Sequence, residues 1–74
     1  MPRFYFHVRD GGEFVDREGH EFANPEKACE EAVMAAGEAI RDLEKQFGAG
    51  GEWQMNVTDE SGAAVCHLRF SSKS

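Results

Sequence analysis

The sequence predicts an α+β domain of the order β-β-α-β-β, with an antiparallel sheet in spatial order 2-1-3-4 and one long helix packed on one face. Two observations carry most of this reading. Segments near both ends of the chain alternate apolar and polar residues, as half-buried strands do, while Pro25 to Phe47 repeats apolar residues every three or four positions, as an amphipathic helix does. The third is the punctuation between them by Asp-Gly, Asn-Pro and Gly-rich stretches.

The first strand is RFYFHVR, residues 3–9. Phe4, Phe6 and Val8 fall on one side and Arg3, Tyr5, His7 and Arg9 on the other, in a segment rich in β-forming aromatics. Asp10-Gly11-Gly12 supplies residues that tolerate positive φ, so the strand ends there in a tight turn. A short return strand fits residues 13–15. After the turn Asp16-Arg17-Glu18-Gly19, in which Gly19 is expected at positive φ, a few extended residues lead to Phe22.

Asn24-Pro25-Glu26 is a helix start. Asn caps the first free amides, Pro is tolerated at the first helical position, and Glu sits at the positive end of the dipole. Cys29, Ala32, Val33, Ala36, Ile40, Leu43 and Phe47 form the expected core stripe, with Lys27, Glu31, Glu38, Arg41, Asp42 and Lys45 facing water. Gly37 interrupts the helix at a cost of about 1 kcal/mol relative to Ala, and its position beside the stripe suggests that Trp53 presses against it. Ala28, Ala35 and Ala39 make a smooth flank open to a second helix. Gly48 supplies the stop, with Gly50 and Gly51 soon after.

In EWQMNVT, residues 52–58, Trp53, Met55 and Val57 point inward and Gln54, Asn56 and Thr58 outward. Asp59-Glu60-Ser61-Gly62 reads as a type I turn closed by glycine. The last strand, residues 63–70, places Ala64, Cys66, Leu68 and Phe70 inward and Val65, His67 and Arg69 outward, and the segment from residue 70 to 74 reads as a frayed tail. Two hairpins joined by a crossover helix give an all-antiparallel sheet only in the order 2-1-3-4. There is no internal repeat, low-complexity tract or linker, and residues 1–74 read as one domain.

With these elements placed, the chain resembles a family of small bacterial proteins catalogued as domain of unknown function 6894. The likeness rests on Arg3, Phe4, Tyr5, Phe6, His7, Asp10 and Gly11 in RFYFHVRDG, Asp16, Gly19 and Glu21 in VDREGHE, Ala28 and Ala32 in the helix, and Val57, Thr58, Asp59, Gly62 and Phe70 near the end. It implies a stand-alone bacterial domain and carries over no activity, cofactor or catalytic residue.

Size and charge narrow the function. A 74-residue chain buries only about 60% of the surface its unfolded form exposes, and such a core supplies roughly 3–5 kcal/mol, which makes self-association an expected remedy. The net charge is −6, from 14 acidic and 8 basic residues. Residues 1–9 and 63–74 carry two cations each and no acid, so the two ends are expected to make a mildly basic patch on an otherwise acidic molecule. No signal-peptide-like stretch or membrane span is seen, and the expected compartment is the cytoplasm.

The residues that invite a chemical role are few. His7 reads as a polar-face histidine bonded to a neighbouring strand or turn, since His67 lies a whole strand away, about 10 Å, and a shared metal lacks a third ligand. Asp16, Glu18 and Glu21 lack the spacing of a calcium loop and read as a solvated turn. Cys29 and Cys66 both fall on inward faces and read as inert core thiols, with a redox pair as the alternative. No catalytic triad, phosphate loop or dinucleotide fingerprint appears. The expectation is a non-enzymatic protein-interaction module acting as a homodimer, without cofactor or membrane contact, whose interaction face comprises Arg3, Tyr5, His7, Arg9, Asn56, His67 and Arg69. The alternative is a weak single-stranded nucleic-acid binder using the same face.

Overall fold

The computed structural model describes the backbone of residues 1–10, 12–47 and 50–73, and their side chains apart from those of residues 40, 42–47, 50–51 and 72–73. The elements are β1 (Arg3–Arg9), β2 (Glu13–Phe14), β3 (His20–Glu21), α1 (Pro25–Phe47), β4 (Gly50–Thr58) and β5 (Ala64–Lys73). The sheet order is β2-β1-β4-β5, with every pairing antiparallel. This is the expected 2-1-3-4 arrangement with one addition, β3, which pairs with the start of β1 through Arg3↔Glu21 and Phe4↔His20.

The register stacks the predicted inward residues in rows. Phe6, Val57 and Cys66 lie side by side across β1, β4 and β5, followed by Val8, Met55 and Leu68, and then by Trp53 and Phe70. Phe4, Trp53, Met55 and Val57 are buried, with Phe6, Val8, Cys66, Leu68 and Phe70 half-buried around them. On the N-terminal side Phe22 closes the cluster, its ring 6.2 Å from Phe4 and 5.8 Å from Phe6, in the tilted geometry that aromatic pairs favour.

α1 begins as expected, with the Asn24 Oδ1 accepting from the Lys27 N–H at 2.9 Å. Its buried face overlaps the expected stripe only in part. Among the described residues Ala28, Ala32 and Ala36 are the buried ones of the helix, flanked by Ala35 and Ala39, so that Ala32 and Ala36 of the expected stripe are in the core, whereas Val33 is 58% exposed. Over its described part the helix is turned about its axis toward its alanines, because the sheet already presents the bulk of Phe4, Trp53, Met55 and Phe6. The alanine flank is therefore the core contact, with no second helix needed to cover it. Ile40, Leu43 and Phe47 lie outside the residues whose side chains are described, as does the Gly48 stop. Gly37 is exposed with nothing within 4 Å of an added Cβ, so Trp53 does not pack there; it is covered elsewhere on the sheet face.

Two further corrections concern β5. A bulge at Val57/Thr58 pairs Thr58 with Ala64, and the extra residue on β5 exchanges the faces at the start of the strand. Val65 consequently packs against the core and Ala64 is exposed. At the other end the strand does not fray after Phe70, since β4 extends back to Gly50 and pairs Glu52, Gly51 and Gly50 with Ser71, Ser72 and Lys73. The β4–β5 turn is built on Asp59, whose Oδ1 accepts from the Ser61 N–H at 2.9 Å and the Ala63 N–H at 3.1 Å, with Gly62 at φ +89°.

Open space around Gly37 makes it a test of helix propensity alone. Gly37→Ala should stabilise the protein by about 0.5–1 kcal/mol, read as a rise in the urea midpoint with unchanged slope. Ala32→Leu should destabilise it by roughly 1–3 kcal/mol through overpacking against the sheet.

Candidate interaction surface

Residues on the odd positions of β1, on the even positions of β4 and, beyond the bulge, at His67 and Arg69 of β5 project away from α1. Their rows are Tyr5 beside Thr58, then His7, Asn56 and His67, then Arg9, Gln54 and Arg69. Six of the seven predicted face residues therefore share one surface. His7 and His67 are separated by Asn56, as the strand order requires. Across this surface runs an open groove of about 430 Å³ lined by His7, Arg9, Val15, Gln54, Asn56 and His67.

Arg3 is the exception. Its guanidinium turns aside to the β2–β3 segment, donating to the Glu18 carbonyl at 2.6 Å and the Gly19 carbonyl at 3.3 Å and pairing with the Glu21 carboxylate at 3.2 Å. It holds a turn and is not part of the face. The other two arginines of the predicted face are also engaged: Arg9 pairs with Glu13 at 3.8 Å and Arg69 with Glu52 at 3.2 Å. The basic patch expected from the two chain ends is thus neutralised by acids from the middle of the chain, and β4 lies between β1 and β5.

His7 is fully occupied. Its Nδ1 accepts from the backbone N–H of Asp16 at 3.1 Å, which places the ring proton on Nε2, and Nε2 donates to the buried Thr58 Oγ1 at 3.1 Å. The ring ties the β2–β3 segment to the end of β4. His67, by contrast, is exposed and forms no side-chain hydrogen bond among the described residues. Nor do those residues contain a cluster of three or more His, Cys, Asp or Glu able to hold a metal ion.

The functional weight of Asp16 was not visible in its spacing alone. Its Oδ2 accepts from the Phe6 N–H at 3.1 Å, and its Oδ1 accepts from the Glu18 and Gly19 N–H groups, both at 3.1 Å. Phe6 points its N–H to the outer edge of β1, midway between Val8, paired with Phe14 of β2, and Phe4, paired with His20 of β3. The carboxylate thus fills a missing rung of the ladder. The signal was present as Asp-x-x-Gly, in which an aspartate closes a turn on the amides two and three residues ahead; what no local pattern carries is the long-range bond to Phe6. Burial alone would raise the Asp16 carboxyl, but the N–H groups of Gly19, Phe6 and Glu18, with the field of His20, outweigh it and hold the group below the ordinary aspartate range. Gly19, at φ +68°, is buried against β1, and a Cβ there would meet the Phe4 carbonyl oxygen at 2.7 Å.

The two cysteines meet on the helix side. The Cys29 thiol donates to the Val65 carbonyl at 3.5 Å. Burial, followed by the nearby Cys66 thiol and the field of Glu26, pushes Cys29 up to about 11.

Two measurements test this framework. Asp16→Asn should cost on the order of 2 kcal/mol near neutral pH, since amides now bonded to a charged acceptor lose it. Because the folded carboxyl is depressed, its contribution is complete above the unfolded value of about 3.9 and lost as pH falls through the folded value. Urea midpoints should therefore drop more steeply for the wild type than for Asp16→Asn as pH falls from about 5 to about 2. Gly19→Ala should cost at least about 2 kcal/mol, combining left-handed strain with the clash on a backbone oxygen.

Comparison with curated proteins and with solved structures gives no match. The family comparison does, and on nearly the whole chain, from the aromatic strand that carries His7 through the Asp16 turn to the end of β5. The model matched over residues 3–71 is that of Domain of unknown function (DUF6894), and the chain belongs to that family.

Proposed function

We propose that this protein is a non-enzymatic, bacterial protein-interaction module that works as a homodimer in the cytoplasm through the sheet face opposite α1. The observation that supports this reading is the state of the charges on that face. Arg9 and Arg69 each have a glutamate partner on the same surface, leaving Asn56, Gln54 and His67 around a groove lined in part by Val15. Such a surface suits the polar, partly apolar contacts of a protein interface, in which charges are best met before burial. No helix among the described residues is long and apolar enough to cross a membrane.

Binding of single-stranded nucleic acid is the second reading, favoured by Tyr5 and the histidines as stacking or hydrogen-bonding groups. Its difficulty is electrostatic: the arginines that would neutralise phosphates already hold carboxylates, and the net charge is −6.

Sedimentation velocity over a concentration series should give a dimer at micromolar concentration. His67→Glu, which acts twice across a two-fold interface, should weaken it at least about tenfold, whereas Met34→Glu on the exposed helix surface should leave it unchanged. A monomer at every concentration to the high micromolar range would overturn the dimer. A gel shift with short RNA at low salt that is abolished by Arg9→Ala would favour the second reading.

A further inference from the structure

We propose that Cys29 and Cys66 form a reversible intrachain disulfide, with a low-molecular-weight disulfide such as glutathione disulfide as oxidant, and that this bond fastens α1 to β5. The inference concerns the opposite side of the sheet from the interaction surface and stands independently of it.

Three features of the fold bring the sulfurs together. The alanine face of α1 seats the helix close to the sheet, and Cys29 lies beside Ala28 and Ala32 on the flank that overhangs β5. The Cys29 thiol reaches across to the Val65 carbonyl at 3.5 Å. The bulge in β5 turns Val65 toward the helix while Cys66, which directly follows the residue whose carbonyl Cys29 reaches, remains on the inward face in the row of Phe6 and Val57. Both cysteines are half-buried and free. Access is provided by an open cleft of about 410 Å³ at the end of α1, lined by Cys29 with Pro25, Glu30, Val33 and Val65. A small disulfide can reach Cys29 through this opening.

The exchange balances in two steps. One protein thiol loses its proton to solvent and attacks a sulfur of glutathione disulfide, forming a mixed disulfide and releasing glutathione as its thiolate. The second protein thiol, likewise deprotonated, attacks the protein sulfur of that mixed disulfide and releases the second glutathione. The protein loses two hydrogens and two electrons, and one molecule of glutathione disulfide becomes two of glutathione. Excess dithiol reductant reverses both steps. In the oxidised chain the first half of the helix and the last strand are covalently joined, closing a loop that contains all of β4.

The test uses the full chain, reduced, freed of reductant and equilibrated with mixtures of reduced and oxidised glutathione. Intact mass should show a species lighter by two hydrogens with both thiols lost together, and its thermal midpoint should rise by on the order of 10 °C. Cys29→Ser and Cys66→Ser, each checked by circular dichroism for the native fold, should instead stop at a chain heavier by one glutathionyl group. The proposal is overturned if the wild type yields only glutathionylated chains, only disulfide-linked dimers, or no oxidised product across the series. It is equally overturned if the lighter species forms with no change in thermal midpoint, because the bond would then not constrain the helix against the strand.

Discussion

The carboxylate of Asp16 organises the N-terminal half of the molecule. β1 is the strand on which both faces depend, contributing Phe4, Phe6 and Val8 to the core and Tyr5, His7 and Arg9 to the open surface. Its outer edge is covered by two strands of two residues each, neither of which is long enough to stand alone. One side chain links them: Asp16 takes the Phe6 amide between their pairings and gathers the Glu18 and Gly19 amides, while its own N–H sets the His7 ring. That ring in turn reaches Thr58 at the end of β4. A single turn thereby couples the first strand, its edge and the hairpin that follows the helix.

Much of this architecture is legible in the residues themselves. Alternation in RFYFHVR and EWQMNVT assigns each residue to its face, and only one strand order is compatible with short hairpins and one crossover, which is why the rows of side chains come out as expected. Asn24 and Gly19 declare their roles through local backbone chemistry. The helix rotation is a different matter. Its larger side chains, Cys29 and Val33, suggest one stripe, but the choice of face depends on the volume already present on the sheet, and among the described helix residues it is the alanines that lie against Phe4, Phe6, Trp53 and Met55. Helix periodicity records amphipathicity and is blind to the shape of the opposing surface.

The composition of the face opposite α1 is legible in the sequence, but the pairing of its charges is not. Strand parity correctly gathers Tyr5, His7, Arg9, Asn56, His67 and Arg69, yet Arg3 is drawn to the Glu18 and Gly19 carbonyls and to Glu21, and the other arginines find Glu13 and Glu52. Segment-by-segment charge counting treats the acids as a separate middle region, whereas folding interleaves them with the basic ends. The bulge is similarly invisible: one extra residue opposite Thr58 reverses Ala64 and Val65, and it is this reversal that turns the Val65 carbonyl to Cys29.

The two margins of the sheet are unequal. On the β1 side, backbone groups that a foreign strand would need are claimed by β2, by β3 and by a carboxylate standing where a third segment is missing, so this border offers no continuous template. On the far side, β5 runs for ten residues and, among the described residues, pairs only with β4. Growth by strand addition from copy to copy requires two receptive borders on each molecule, one to give and one to take. A molecule with a single long border is suited to one union, and the broken border beside Asp16 works against open-ended stacking of these sheets.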